Sequence, residues 1–212
     1  MQPVLERMMG ATADATREAG ARQGTLAALS RPEAVYLAER ALAGDAVLRK
    51  GAAEVLGHNV IEFPAFCSAR LPALFDDPDS KVREAASGWM RRVRERGTLA
   101  PLKPVADGFL SNVAFVDDPE DFFWMLESVS DAPPALLFEA AHRFLDRAGP
   151  DSADIRTRDA LVGHRIGTLV LRAYRQAEGD RSLRLHCLDL FDRLVACGTH
   201  GAEEALERWD EG

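Results

Sequence analysis

The sequence of 212 residues contains little cysteine and no long apolar run. Its three cysteines, Cys67, Cys187 and Cys197, are few for this length and odd in number, which argues against a disulfide framework. No apolar stretch approaches the roughly 20 residues that a membrane-spanning helix needs. The first residues lack the basic start and the continuous apolar segment of a secretory signal. We therefore expect a cytoplasmic protein that does not enter a membrane.

Positive charge is also scarce, with 26 Lys and Arg against 34 Asp and Glu and a formal net charge of -8. Since contacts to phosphate need a surplus of Lys and Arg, this balance disfavours a long nucleic-acid-binding face. The one basic run, RRVRERG at residues 91–97, is accompanied by glutamates and has no aromatic platform beside it. We interpret it as a solvated or repeat-facing helix surface. Partner contact through Arg91, Arg92 and Arg94 and nucleic-acid contact remain alternatives.

Familiar catalytic motifs are missing as well. The sequence contains no Gly-x-x-x-x-Gly-Lys-Ser/Thr phosphate loop, no Gly-x-Ser-x-Gly turn and no His-Glu-x-x-His helix. Glu139 and His142 form one Glu-x-x-His step of the di-iron type, but the second copy that such a site needs is absent. We therefore predict no catalytic residue, no metal and no cofactor, and interpret this pair as helix-surface residues.

Histidine and cysteine occur together near the carboxyl end, as His186, Cys187, Cys197 and His200. Their spacing lacks the close Cys-x-x-Cys pair that is typical of structural zinc sites. Both cysteines continue an apolar helical stripe, and a free cysteine packs as a small apolar group. The pattern predicts core packing and not metal binding.

Acidic clusters precede two predicted helices, at residues 76–79 and 117–121. Neither cluster has the ligand spacing and central glycine of a calcium loop. Acids at a helix start accept hydrogen bonds from the first amides and complement the helix dipole. We predict that both clusters cap helices.

Apolar residues recur at three- and four-residue steps along almost the whole chain, and no segment shows sustained alternation. In one predicted helix, which begins at Asp79 or Ser80 and stops at Gly97, the apolar stripe comprises Val82, Ala86, Trp89 and Val93. Further helices are predicted over residues 32–43, 64–74, 133–149, 155–177, 181–197 and 202–209. Short connections that contain Gly, Pro or Asp are typical of antiparallel neighbours. The pattern predicts an all-α protein.

The most apolar stretch is FFWML, at residues 122–126. A helix that is apolar on all sides is normally buried, so we predict a core position. A docking patch for a partner is the alternative, because a large exposed apolar area marks an interface.

One pattern repeats at an offset of 34 residues, in residues 45–56 and 79–90. An aspartate is followed by an apolar residue three positions later, by an arginine four positions later and by a small residue seven positions later. A further copy begins at Asp180, and a weaker one at Asp14 has its arginine, Arg17, one residue early. The repeat predicts that four apolar residues are buried, namely Leu56, Val82, Ala86 and Trp89.

This pattern resembles the second helix of a HEAT repeat. In that family, turn aspartates and helix arginines of neighbouring repeats tend to form a ladder of charge-assisted hydrogen bonds. The resemblance implies an α-solenoid whose ladder residues are Asp45, Arg49, Asp79, Arg83, Asp180 and Arg184. It covers residues 30–96 well and residues 1–30 and 180–210 loosely. Residues 97–150 depart from it, because the stretch that ends at Pro134 has no arginine four positions after a turn aspartate. We expect HEAT-like repeats over 1–96 and a less regular helical continuation over 97–212, together forming one continuous solenoid.

The carboxy-terminal run from residue 154 also resembles the end of the helical-repeat region of very large bacterial NTPases of the STAND type. In those proteins a nucleoside-triphosphatase core precedes a repeat array that senses a ligand, and several act in antiphage defence. A bacterial source also agrees with the composition, in which alanine is abundant and arginine far outnumbers lysine. The resemblance implies a sensor or scaffold part without its NTPase core, because the phosphate loop is missing.

These observations favour a non-catalytic scaffold or sensor that binds another protein through the surface of its stacked helices. The alternative is a HEAT-like nucleic-acid-binding protein or an enzyme of the DNA glycosylase type. That alternative requires a face on which clustered arginines surround an acid and a tryptophan.

Overall fold

The structure, a computed structural model, describes residues 1–148 and 160–197. Every regular element within these ranges is a helix, which confirms the predicted all-α class. Within these ranges, none of the helices combines the length and the apolar composition that a membrane span requires. The chain divides into two compact units, Met1–Asp117 and Asp118–Gly212. The helix predicted over 202–209 and the residue His200 lie outside the described residues.

Two long helices dominate the first unit, and shorter ones follow them. Its first four helices are α1 (Gln2–Met9), α2 (Asp14–Ser30), α3 (Val35–Leu42) and α4 (Ala46–His58). They are followed by α5 (Pro64–Ser68), α6 (Leu71–Leu74), α7 (Ser80–Ser87), α8 (Trp89–Arg96), α9 (Lys103–Leu110) and α10 (Val113–Asp117). Short 3-10 turns, Pro32–Ala34 and Ala100–Leu102, precede α3 and α9.

Two helices that the sequence predicts as continuous are interrupted in the structure. The helix predicted to run to Gly97 is divided at Gly88 into α7 and α8. The helix predicted over residues 64–74 is divided into α5 and α6, because Pro72 has no N–H with which to continue the hydrogen-bond ladder. Gly97 ends α8 as predicted, with the left-handed φ of 75° that glycine adopts without strain.

Helices α2 and α4 lie side by side and run in the same direction. Glu18 pairs with Lys50, and Arg22 pairs with Glu54 four residues later in both helices. The backbones approach closely, since a Cβ added to Gly51 of α4 would lie 2.7 Å from the carbonyl oxygen of Glu18. Helix α7 packs on the other side of α4, where a Cβ on Gly57 would lie 3.2 Å from the carbonyl oxygen of Ala86. The three helices α2, α4 and α7 therefore form one layer.

Helices α1 and α3 pack against one side of this layer. Gly20 and Gly24 of α2 face them, and a Cβ on Gly24 would lie 3.2 Å from Cβ of Leu37 in α3. The buried cluster between these helices consists of Leu5, Met9, Ala21, Ala34, Leu37, Ala41, Leu48 and Ala52. Half of its members are alanines, so the helices can approach more closely than larger side chains would allow.

Aromatic side chains pack together at the end of the first unit, where α7–α10 lie. Phe109 lies at their centre, with ring centroids 5.2 Å from Phe75, 5.9 Å from Trp89 and 6.2 Å from Phe115. All three pairs have the edge-to-face geometry that aromatic rings favour. The repeat predicted four buried residues, and each of them has 0% exposure: Leu56, Val82, Ala86 and Trp89. That prediction is confirmed.

The second unit contains four described helices. These are α11 (Pro119–Ser128), α12 (Pro134–Ala148), α13 (Ala160–Gln176) and α14 (Arg181–Ala196). The FFWML stretch lies in α11 and is buried as predicted except for Trp124, which is 44% exposed. Arg172 of α13 donates to the carbonyl oxygens of Leu126 and Glu127 at 2.9 and 3.0 Å, and so satisfies carbonyls at the end of α11.

Candidate functional site

Three arginines of the layer helices each bind an aspartate that lies later in the chain. The pairs are Arg17–Asp45, Arg49–Asp77 and Arg83–Asp117. Their partners stand 28, 28 and 34 positions later. Nε of the arginine is 2.6 Å from a carboxylate oxygen in both the second and the third pair. We call this set the arginine ladder.

The acid that receives Arg49 is Asp77 and not Asp79, which corrects the predicted ladder. Asp79 is the N-cap of α7 and accepts a hydrogen bond from the amide of Lys81 at 2.9 Å. Its carboxylate therefore points to its own helix. Asp77 lies two residues earlier in the turn and is 6% exposed, and its carboxylate faces α4.

Asp77 has a full set of donors. Arg49 donates through Nε at 2.6 Å and Nη2 at 3.1 Å, and the amide of Asp79 donates at 2.9 Å. Burial raises the pKa of the Asp77 carboxyl, but the hydrogen bonds from Arg49 and from the Asp79 amide outweigh it, and the pKa lies below its ordinary value. Asp77 is therefore a buried, ionised acceptor.

Asp45 combines the two roles that Asp77 and Asp79 divide between them. It accepts from the amide of Leu48 at 3.3 Å as the N-cap of α4. It also accepts from Arg17 of α2, and this hydrogen bond is the main cause that lowers the pKa of the Asp45 carboxyl. Arg17 thus supplies the first pair of the arginine ladder, from the repeat copy whose spacing is one residue short.

The ladder arginines also fasten the turns that precede their own helices. Nη1 of Arg49 donates to the carbonyl oxygen of Gly44 at 2.6 Å. Nη1 of Arg83 donates to the carbonyl oxygen of Asp77, also at 2.6 Å. Arg49 therefore joins the turn before α4 to the carboxylate of Asp77, and Arg83 joins the turn before α7 to the carboxylate of Asp117 at the end of α10.

The third predicted Asp–Arg pair does not take part in such a ladder. Asp180 is the N-cap of α14 and accepts from the amide of Leu183 at 2.9 Å. Arg184 lies over the ring of Tyr174, with its guanidinium carbon 5.1 Å from the centroid. Within residues 1–148 and 160–197, the ring of Tyr174 in α13, and no aspartate, contacts the guanidinium group of Arg184.

A second set of charge pairs joins α1 to α3, and α3 to the residue that precedes α6. Arg40 of α3 lies 3.7 Å from Glu6 of α1, and Arg70 lies 2.6 Å from Glu39 of α3. The hydroxyl of Tyr36 also donates to Glu6 at 2.7 Å. We call these pairs the glutamate ladder. Sequence analysis missed it, although the same Glu-Arg step occurs at the same place in α1 and α3.

A charged group at the middle of the layer ties α2 to α4. Lys50 lies 2.8 Å from both Glu18 and Glu54, and Arg22 contacts the same two acids. The hydrogen bond to Glu18 is the largest cause that raises the pKa of Lys50. All four side chains are partly exposed, so their contribution to stability is modest.

The predicted partner-contact arginines differ in what they bind. Arg92 donates to the carbonyl oxygen of His58 at 3.0 Å and to Glu62 at 3.1 Å, so it holds the turn after α4. Arg94 is half-buried. Arg91 is exposed and is therefore the arginine of this group that is best placed for contact with another molecule.

The cysteines and acids of the described ranges form no group of three or more that could hold a metal ion. Cys67 and Cys187 are buried, and burial raises their thiol pKa to about 12 and about 11. The acidic cluster at 117–121 supplies both a helix cap and a ladder acid. Asp118 accepts from the amide of Asp121 at 3.3 Å as the N-cap of α11, while Asp117 binds Arg83.

Comparison with known proteins identifies no relative. No protein-family model matches the sequence, and no curated protein and no solved structure matches the chain.

Proposed function

We propose that this chain is a non-catalytic, cytoplasmic protein-interaction scaffold whose first unit is a short HEAT-like repeat array. The observation that carries the proposal is the arginine ladder. It joins α2 to the turn before α4, α4 to the turn before α7, and α7 to the end of α10, each time through an arginine that binds an aspartate later in the chain. Repeated helix pairs that contact only their neighbours form extended surfaces, and such surfaces bind other proteins without any chemistry of their own.

Most ionisable groups of the first unit have a structural role, because they form ion pairs between helices or cap helix ends. The two ladders and the Glu18–Lys50 group join helix to helix, and the caps engage backbone amides. Exposed side chains of the first unit then remain for a partner. On α7 and α8 these include Lys81, Glu84 and Arg91.

The carboxy-terminal region resembles the helical-repeat region of large bacterial NTPases of the STAND type, and this resemblance supports a more specific proposal about the partner. A sensor or scaffold part of a large bacterial NTPase needs a helical array that binds a ligand or a partner, and it needs no phosphate loop of its own. We therefore propose that the partner belongs to such an NTPase or to a defence system built around one.

Affinity capture with a matched pair of variants tests the proposal. The tagged chain, its Arg91→Glu variant and its Arg96→Glu variant are each used to capture proteins from a bacterial lysate. Arg91 and Arg96 are both exposed and lie on the same helix, but five residues apart and so on different sides of it. We expect one protein to be captured by the parent chain and by Arg96→Glu, and to be lost with Arg91→Glu. Turnover of a substrate that depends on a single acid or histidine of the chain would contradict the proposal.

A further inference from the structure

One face of the consecutive helices α7 and α8 carries exposed charges of alternating sign. Its exposed side chains are, in chain order, Lys81, Glu84, Arg91 and Glu95. Successive members stand three, seven and four residues apart, which places them on one side of the helices. The buried stripe that includes Trp89 lies on the opposite side. We call the four exposed residues the charge stripe, and their signs are positive, negative, positive and negative.

Gly88 lies at the middle of the charge stripe. Its backbone is right-handed, with φ of -55° and ψ of -15°, so the chain keeps a helical path from α7 into α8. A Cβ added to Gly88 would have one neighbour among the described residues within 4 Å, the carbonyl oxygen of Ala85 in the preceding turn, at 3.2 Å. The surface above Gly88 is therefore open, and another helix can approach the backbone there.

The ion pairs within the chain leave most of the charge stripe unused. The side chains of Lys81, Glu84 and Arg91 form no ion pair with any residue in 1–148 or 160–197. Glu95 pairs with Arg92 of its own helix, yet its side chain is 52% exposed. The contacts that hold the first unit together therefore do not explain why the four signs alternate.

The charge stripe is complementary to itself when one copy is reversed. Lys81 and Glu95 each stand seven residues from Gly88, while Glu84 and Arg91 stand four and three residues from it. In an antiparallel pair of helices centred on Gly88, Glu84 of each copy meets Arg91 of the other. Lys81 of each copy likewise meets Glu95 of the other. A parallel pair in register would place like charges opposite each other.

The positions around the helix also allow these contacts. Glu84 and Arg91 are two turns apart, so they differ by only about 20° around the helix axis. Lys81 and Glu95 are four turns apart and differ by about 40°. A two-fold axis that crosses the helices at Gly88 therefore brings each residue to the side on which its counterpart lies, and it forms every contact twice.

We propose that the charge stripe is the interface of a symmetric, antiparallel dimer of this chain. The Glu84–Arg91 pairs lie next to the crossing point at Gly88, and the Lys81–Glu95 pairs lie about 10 Å from it along the helices. Exposed ion pairs add little stability, but they select one orientation and disfavour others. The dimer is therefore weak and sensitive to salt. This inference goes beyond the proposed scaffold function and does not depend on it.

Charge reversal in the purified full chain tests the arrangement. Sedimentation equilibrium of the parent chain between about 10 µM and about 1 mM should show a reversible dimer. Glu84→Arg and Arg91→Glu each place like charges opposite each other twice, so each should raise the dissociation constant at least about fivefold. Arg96→Glu is the control, because Arg96 is exposed on another side of α8, and its effect should stay within about twofold.

An equimolar mixture of the two variants separates a lost contact from a damaged fold. The Glu84→Arg chain is positive at both positions, and the Arg91→Glu chain is negative at both. Each variant repels its own copies, whereas the two variants together restore both contacts. We therefore expect a mixed dimer whose dissociation constant lies within about twofold of the parent value. Misfolded variants could not rescue each other in this way.

Three results would overturn the inference. These are a parent chain that stays monomeric across the whole concentration range, a dimer that neither reversal weakens, and a mixture of the two variants that stays monomeric. None of them bears on the scaffold function, because capture of a different protein through Arg91 is measured separately in the lysate. Failure of that capture would in turn leave the dimer of the purified chain unaffected.

Discussion

Arg49 and Asp77 form a two-point hydrogen-bonded ion pair, with Nε and Nη2 of the arginine 2.6 and 3.1 Å from the two carboxylate oxygens. This geometry matches the planar fork of a guanidinium group to a carboxylate, which is the strongest form of such a pair. Because Asp77 is buried, removal of either charge leaves the other without its partner in a poorly solvated place. The pair therefore gives the sharpest test of the arginine ladder.

Replacement of Asp77 should destabilise the first unit. Asp77→Asn keeps the volume but removes the charge and forces an NH2 group towards the Arg49 donors, so we expect a loss of about 2–3 kcal/mol in the free energy of unfolding. Urea denaturation followed by circular dichroism measures it. Asp76→Asn is the matched control, since Asp76 is exposed, and it should change stability by less than about 0.5 kcal/mol. Equal effects of the two variants would show that the pair contributes nothing.

The same carboxylate predicts an acid-sensitive part of the stability. The pKa of Asp77 is lowered in the folded chain, so the unfolded chain binds its proton more readily. The stabilisation is fully present above the unfolded pKa of about 3.9 and is lost as the pH falls through the lower folded value. Urea midpoints measured between pH 7 and pH 2 should fall less steeply for Asp77→Asn than for the parent chain. Parallel curves would rule out this contribution.

Of the two tryptophans that the structure describes, Trp89 should be the more costly to remove. It is fully buried against Phe109, and Trp89→Ala should lower the free energy of unfolding by about 3–5 kcal/mol. Trp124→Ala is the control, because Trp124 is 44% exposed, and its cost should stay below about 1 kcal/mol. A Trp89 effect under about 1 kcal/mol would mean that the helix is rotated from its described position.

Gly51 should not tolerate even a methyl group. The added Cβ would lie 2.7 Å from the carbonyl oxygen of Glu18, which belongs to the α2 backbone and cannot rotate away. Gly51→Ala should therefore destabilise the chain by about 1–3 kcal/mol, although alanine favours a helix more than glycine does. Gly10→Ala, whose nearest neighbours lie at 3.6 and 3.8 Å, serves as the control in the same thermal and urea measurements. If Gly51→Ala instead raised the stability, α2 and α4 could not be in such close contact.

The cysteines should differ in their reaction with iodoacetamide. Burial raises the thiol pKa of Cys67 to about 12 and that of Cys187 to about 11, and only the thiolate reacts. Both should resist alkylation at pH 8 in the native chain, whereas the half-buried Cys197 should be modified first. Mass spectrometry of digests taken over time gives the order, and denatured chain gives the rate without protection. Early modification of Cys67 would contradict its burial.

Apolar spacing was sufficient to predict the helical class and the buried stripe of α7 and α8, because one face of a helix must collect its apolar residues. The same reasoning could not choose among Asp76, Asp77 and Asp79. All three lie in one turn, and only the path of the chain decides which carboxylate caps a helix and which faces α4. Spacing alone therefore could not distinguish Asp79, which caps α7, from Asp77, which binds Arg49.

The parts that sequence reasoning missed depend on contacts between distant segments. Arg184 has the repeat spacing, yet Tyr174 of the preceding helix lies within reach and holds it. The glutamate ladder joins Glu39 to Arg70 across 31 positions, and its other pair joins Glu6 to Arg40. A repeated Glu-Arg step was visible in α1 and α3, but its meaning depends on which helices are neighbours.

Asp77 serves two neighbouring pairs at once, because its carboxylate binds Arg49 while its backbone carbonyl binds Arg83. Strain applied to either arginine therefore displaces the same peptide unit, and opening one helix boundary weakens the next. The segment from α4 to α10 should accordingly lose its amide protection in a single step during hydrogen exchange, and not one helix pair at a time. We therefore expect a turn of a few residues to make this part of the molecule a single cooperative unit.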